Sequence, residues 1–563
     1  DMKNMTSDHY PILSPRKKRG VYASPALPTG LISKDSLCYV DGAAFVMNEY
    51  RVDMGLNDEP KQLVSMGAYV IIMPDKKYIN TADLTDFGDI EASYPGIEGQ
   101  SVSATYEMCK IDGSLYTGAA KGPSAPENPI NMQLWVDTSS TPHVLKQYSA
   151  TNAVWSPIAT TYIKISAPGM AAAFKQYDAV KISGFPKESA QLSEMDGITY
   201  PLWEAYHDPG DKETGRAEGT NDYIVIVGIL DEAVTYESKL RLERTIPVMD
   251  FIVESGNRLF GCRYGPAANG EVVNEIYASK LGDFKNWNCF MQISTDSWVG
   301  GVGTDGQFTG AITHMGHPLF FKENCVHKVY GNYPANFQIQ TTACRGVQKG
   351  CEKSLAIVNE TLFYKARSGV CAYDGSLPTE VSYAMGNEVY SFAVGGAHGN
   401  KYYISMSDEL GDTHLFVYDT AKGMWHREDG LRVDCFCSCR GEMYAISNRK
   451  IISLLGSGKK DTEPVEWMVE TGEMGIATPD MKYVSSLNVR LSMDIGSKVE
   501  FYAKYDMSEE WVHICTVFGT NLRSFFIPIR PRRCDHMKLR IVGEGIGKIY
   551  SITKTVERGR NNV

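Results

Sequence analysis

Between residues 246 and 455 the apolar positions recur in one sketch: an apolar strand, a turn carrying Gly or Asn, then a second strand rich in aromatics. It reads as Met249–Val253, Ser255-Gly-Asn257 and Leu259–Tyr264, and again as Ala311–Met315, Gly316-His317 and Leu319–Lys322. Leu355–Val358 and Leu362–Lys365 flank Asn359-Glu360, Phe392–Val394 and Tyr402–Met406 flank Gly399-Asn400, and Val433–Cys439 and Met443–Ser447 flank Arg440-Gly441. A short turn of this chemistry between two apolar runs predicts an antiparallel hairpin. The turns near 256, 316, 360, 399 and 441 set a repeat of about 40 to 60 residues, the range of propeller blades. Second hairpins fall where a four-stranded blade needs them: Glu275–Lys280 before Trp287, Val370–Tyr373 before Asp374-Gly375, and Leu415–Tyr418 before Trp425. This stretch predicts five blades.

The rest of the chain has other textures. Ser36–Val40 and Ala43–Asn48 flank Asp41-Gly42, and Leu63–Met73 adds more strand, so residues 31–81 read as one or two further blades or platform strands. Bringing them beside the last strands closes the ring and removes its exposed edges. Residues 82–245 are loop-rich, with strand pieces such as Gln133–Val136 and Tyr223–Val227, and read as an inserted small β module. Further on, Leu487, Val489, Leu491 and Met493 alternate with Asn488, Arg490 and Ser492, and Val499–Tyr505 repeats the pattern. Period-two patterning with one wet face predicts an antiparallel β-sandwich over 471–563. Residues 1–30 hold Pro11, Pro15, Pro25, Pro28 and the basic knot Arg16-Lys17-Lys18-Arg19, and read as an extended N-terminal arm. The expected fold is therefore all-β: an arm (1–30), first propeller or platform strands (31–81), the inserted module (82–245), propeller blades (246–470) and the C-terminal sandwich (471–563).

Composition narrows the function. The chain has 563 residues, with 43% hydrophobic and 11% aromatic residues and a net charge of −11. A protein that grips DNA needs a basic footprint, so the acidic balance argues against tight nucleic-acid binding by the whole chain, though not against a pore through which DNA slides. The 13 cysteines lack any CxxC pair and predict free, mostly buried thiols and folding in a cytoplasm. The longest apolar run, around Tyr69–Met73, is too short to span a bilayer.

Motifs with chemical potential mostly resolve into bland readings. Gly301-Val-Gly303-Thr-Asp-Gly306 has the letters of a dinucleotide fingerprint, but a strand follows it where a helix is needed, so it reads as a loop. His314, His317, Cys325 and His327 read as turn and core residues rather than zinc ligands. Cys435, Cys437 and Cys439 alternate and share one face of one strand. Asp83, Asp86 and Asp89 lack the spacing of a calcium loop. Acidic residues are plentiful but nothing singles out a catalytic pair. The expectation is no catalytic residue, no cofactor, no metal and no enzymatic activity.

Four stretches carry a resemblance: Asp1-Met-Lys-Asn-Met-Thr-Ser-Asp-His-Tyr-Pro-Ile-Leu-Ser-Pro-Arg16; Leu134-Trp-Val-Asp-Thr138 with Trp155; Asn274-Glu-Ile-Tyr-Ala-Ser-Lys-Leu-Gly-Asp-Phe-Lys-Asn-Trp287; and His317-Pro-Leu-Phe-Phe-Lys-Glu-Asn324 with Val329-Tyr-Gly331. In this order they resemble bacteriophage tail proteins of the propeller-containing nozzle or tail-terminus family, the podovirus-type tail tubular proteins. The resemblance spans most of residues 1–455. It implies a virion component of the distal tail, made and folded in the host bacterial cytoplasm, that forms a six-fold ring with copies of itself. It would contact other tail or adaptor proteins and surround a channel that genome DNA crosses without specific binding. Arg16, Lys17, Lys18 and Arg19 are the expected assembly contacts, their cations meeting the acidic surface of the next subunit. The alternative is a cell-surface β-propeller that binds or cleaves glycans, its aromatics stacking on sugars.

Overall fold

The computed structural model describes residues 1–558 apart from 268, 269, 387, 457, 458, 461–463, 476–480 and 520. Strands dominate. Helix among the described residues is limited to Ala190–Ser193 and three short 3-10 turns.

Seven antiparallel sheets among the described residues follow one another in a closed cycle. The first two are Pro28–Lys34 to Tyr50–Asp53 and Gln62–Met66 to Phe87–Asp89. The next four begin at Phe251–Ser255, Gly310–His314, Ala356–Val358 and Tyr390–His398, and the seventh begins at Cys435–Cys439. Each sheet is a meander whose first strand lies against the neighbouring sheet's first strand, with the turn Glu352–Ser354 intervening between the fourth and fifth. Cys435–Cys439 in turn touches Pro28–Lys34 and completes the cycle.

The five hairpin turns expected from sequence join the first and second strands of the third to seventh sheets. Left-handed backbone explains their chemistry. Gly256 and Asn257 have φ of 59° and 60°, and Arg440 and Gly441 have 49° and 77°, the mirror-image turn that matches strand twist.

An apolar cluster fills each space between neighbouring sheets. Phe45 and Val40 meet Val70 and Ile72 between the first two, and Ile71 meets Ile252 and Leu259 between the next. Leu362 and Tyr364 lie between Phe321 and Tyr402 further round. The closing contact packs Ile446 and Ile451 against Leu31 and Leu37. Central strands thus have neighbours on both faces. That is why Leu319-Phe320-Phe321 and Val70-Ile71-Ile72 are unbroken apolar runs, all buried, instead of alternating.

The run expected to be an extended N-terminal arm is paired to strands of its own chain. Met2–Lys3 pairs with Glu466–Glu470, and Met5–Thr6 pairs with Ser14–Pro15. Gly20–Ala23 becomes the fourth strand of the seventh sheet, antiparallel to Lys450–Ser453. The strands of this run are too short to show a period in the sequence.

Residues 92–244 form three sheets of their own. Two share a core that includes Tyr106, Ile163, Ile182 and Leu242. The third, Ala120–Gly122 to Val154–Pro157, packs Trp135 edge-on to Trp155 at 5.4 Å. After residue 465, a five-stranded and a three-stranded sheet share a core around Trp467, Leu487, Phe501 and Leu539. Burial alternates strictly in Lys498–Tyr505 and Met537–Glu544.

Candidate functional site

Two places concentrate charge. The first holds the residues expected to mediate assembly. The guanidinium of Arg19 grips Asp429 with two bonds, Nη1 to Oδ2 at 2.7 Å and Nη2 to Oδ1 at 2.9 Å, and reaches Glu428 Oε2 at 3.1 Å. Arg16 Nη2 lies 3.3 Å from Asp429 and its Nε donates to Asn4 Oδ1 at 2.8 Å. The Arg16 and Arg19 side chains are only 13% and 9% exposed. Burial works against the Arg19 charge, but Asp429 and Glu428 outweigh it and hold the guanidinium above its ordinary pKa. Burial pushes the Glu428 carboxyl up. Burial also acts to raise Asp429, yet Arg19 and Arg16 hold it below the usual range.

Arg16 and Arg19, two of the four expected assembly contacts, are thus engaged within their own chain. Their cations face carboxylates of their own chain. Lys17 is exposed and Lys18 half-buried. Other residues of the same run act in the same sense. Ser7 Oγ donates to Asp419 at 2.6 Å, Asn4 Nδ2 donates to the Glu466 carbonyl at 2.7 Å, and Leu13 and Ile549 exchange backbone hydrogen bonds. Residues 1–23 form a strap joining the closing sheet to the C-terminal unit.

The second place is a cleft of about 820 Å³ between the second sheet and the inserted unit. The segment Asp283-Phe-Lys-Asn-Trp287 contributes Lys285 to its lining. Asp283 Oδ1 caps the Lys285 amide at 2.9 Å, and the Trp287 indole donates to the Phe284 carbonyl at 2.9 Å. Asn286, 1% exposed, donates to Asp178 and accepts from the Ala179 amide at 2.8 Å, fastening the ring to the insertion. This turn fixes Lys285, whose Nζ stands 4.0 Å from the centre of the Tyr78 ring. Among the described residues no group takes a hydrogen bond or ion pair from that ammonium. Burial lowers its pKa, and the charges of Arg244 and Lys175 lower it further. Arg244 is itself 4% exposed, held by Asp178 at 2.5 Å and the Ile90 carbonyl at 3.2 Å. Lys76 pairs with Glu91 at 2.8 Å and Arg241 with Glu243 at 2.7 Å on the rim. The arrangement offers cations, ionised carboxylates and an aromatic wall to a polar ligand.

The other motifs do not build sites. Gly301–Gly306 links two strands. His314 and His317 are cross-strand partners in a hairpin. His327 is buried beside Cys325, Nε2 to Sγ 3.5 Å, and burial lowers its pKa to about 4. Cys435, Cys437 and Cys439 all face the closing cluster. No group of three metal-ligating side chains converges among the described residues. Sequence reasoning missed the cleft, although Lys285-Asn-Trp287 lay within a stretch it singled out.

No family model matches the sequence, and no curated protein matches it. Among solved structures, the chain is similar to the exo-β-1,3-galactanase of Phanerochaete chrysosporium at 8% identity, covering 53% of this chain and 95% of that one with a TM-score of 0.22. It is similar to the Trypanosoma rangeli sialidase at 8% identity, covering 95% and 96%, TM-score 0.19. A Bacillus thuringiensis Cry1Da core variant matches at 9%, covering 56% and 53%, TM-score 0.14. One expectation is corrected by these matches. The reading of a chain without enzymatic activity is withdrawn, because the galactanase and the sialidase are glycoside hydrolases. At these TM-scores the likenesses carry no argument for a reaction or substrate of this chain.

Proposed function

We propose that the chain is a structural subunit of a bacteriophage tail, a nozzle-like or adaptor-like ring component around the DNA exit channel. On this reading the seven-sheet cycle is a β-propeller carrying an inserted β module and followed by a C-terminal β-sandwich. The observation that carries the proposal is the strap. The N-terminal run bearing the resemblance, Asp1–Arg16, leads into the strand Gly20–Ala23 that completes the last sheet, and it ties the ring to the C-terminal unit through Asn4, Ser7 and Arg16. The resembling residues thus have an architectural task, as a shared tail fold requires. The C-terminal unit adds support. Its edge strands Val512–Phe518 and Arg523–Ile527 carry Phe518 and Phe526, 69% and 62% exposed, surfaces suited to cover by a second copy. Electron microscopy of the purified chain and of particles carrying it tests the proposal. Rings and a tail position are expected. A strictly monomeric protein absent from every particle refutes it.

The charged cleft favours a second reading, in which the chain engages glycans at a cell surface. A glycan array with a hydrolase screen separates the two. Saturable glycan binding without ring assembly favours the second.

A further inference from the structure

We propose that the cleft between the second sheet and the inserted unit binds a carboxylate-bearing saccharide, with Lys285 and Lys175 taking the carboxylate. The inference rests on the second reading and names its ligand class.

Three observations carry it. First, the cleft of about 820 Å³ lies in the size range of small-ligand sites and has the volume for more than one sugar ring. Its lining is mostly polar, which suits a hydroxyl-rich ligand rather than an apolar one.

Second, its cations are in excess where they matter. Lys285 is half-buried, seated on Tyr78, and has no anionic partner among the described residues. Lys175 is exposed at the same cleft and likewise unpaired among them, while the nearby Arg244 is satisfied by Asp178. Arg244 and Lys175 weigh against the Lys285 charge more than Asp283 and Asp178 support it, and an incoming anion relieves that repulsion.

Third, the walls limit what the anion is. Asp89, Glu91 and Glu243 line the same cleft. They repel a polyanion such as a nucleic acid, and they offer acceptors to sugar hydroxyls. A single carboxylate on a neutral, hydroxylated scaffold satisfies both sets of groups at once. A phosphodiester chain satisfies only the cations.

The position also makes sense of Asn286. It fixes the distance between the two halves of the cleft by bonding Asp178 and Ala179 of the insertion from the ring side. Lys285 from the ring and Lys175 from the insertion thus line one space.

Isothermal titration of the full chain tests the inference, with sialyllactose and an aldobiouronic disaccharide as singly charged acidic probes, cellotriose as the neutral probe and inorganic phosphate as the bare anion. Saturable binding of at least one acidic probe is expected, weakening with salt. Lys285→Gln and Lys175→Gln should each lower its affinity about tenfold, and Lys285→Arg should restore it. Melting temperatures confirm that each variant is folded. Acidic-probe binding unchanged in both Gln variants overturns the proposal, as does phosphate binding without sugar binding. Equal or exclusive binding of cellotriose overturns the proposal but leaves the glycan reading standing. If no sugar binds, both fall.

Discussion

Removing Arg19 tests whether the strap is held by buried charge. Arg19→Ala deletes both bonds to Asp429 and the contact with Glu428, in a cluster where the arginine and Glu428 side chains are each 9% exposed. Breaking a buried ion pair from one side costs about 3–5 kcal/mol, because the partner charge stays buried. Arg16 remains 3.3 Å from Asp429 and offsets part of the loss, which places the expectation at about 3 kcal/mol. The effect is local, so exchange of backbone amides is the right assay. In Gly20–Ala23 and its partner Lys450–Ser453, exchange should quicken about a hundredfold. Val102–Cys109, in the inserted unit, should be unchanged. Arg19→Lys keeps the charge but loses the two-pronged geometry, and should fall between. A rise below threefold in Arg19→Ala refutes the argument and leaves backbone pairing alone as the fastening.

Three further outcomes follow from particular side chains. His426 is 5% exposed, neither ring nitrogen has a partner among the described residues, and burial lowers its pKa to about 3. Because that folded value lies below the ordinary one, its stabilising share is complete above about pH 6.5 and is lost as pH falls towards 3; His426→Leu should be neutral or stabilising by about 1 kcal/mol at pH 7 and should flatten the acid limb of a melting-temperature profile. Lys146 and Ser139 hydrogen bonds push the Asp137 carboxyl down to about 2, so its contribution is present above the usual carboxylate range and lost as pH falls through about 2; in Lys146→Met, an NMR titration should find Asp137 moved back up. A methyl group on Gly543 would enter the ring of Trp467, which is 1% exposed, so Gly543→Ala should destabilise the C-terminal unit by about 3 kcal/mol in urea unfolding, whereas Gly472→Ala, with open space around it, should stay within about 0.5 kcal/mol.

Legibility in the sequence followed the range of the interactions. Hairpins closed by Gly256-Asn257 or Arg440-Gly441 announce themselves, since left-handed backbone restricts the residues within two positions. The alternation of Val499–Tyr505 is equally local, because one wet face imposes period two. The fourth strand of the second sheet, Phe87–Asp89, was not legible: three residues with Gly in the middle carry no pattern, and the boundary at 82 fell before it. The intrachain contacts of the arm were hidden for another reason. Arg16 and Arg19 look like solvent-seeking charges until Glu428 and Asp429, over 400 residues away, are brought beside them. The cleft is the extreme case. Tyr78, Lys175, Arg244 and Lys285 come from separate stretches of chain, and only the packing of the insertion on the ring gives them one space.

The strap also sets an order of events in time. Arg19 is made early and Asp429 lies 410 residues later, so the seventh sheet cannot be finished while the chain is still being synthesised up to that point. At about 5–20 residues per second, the first twenty residues wait roughly 20–80 s for their partners. The insertion, whose strands pair only among themselves, needs no such wait and is free to fold while the ring is still open. The unclosed intermediate leaves the strand Gly20–Ala23 unpaired and exposes the apolar face of Leu31 and Leu37, the two features that drive non-native association. Closure of the ring is thus a late, long-range step.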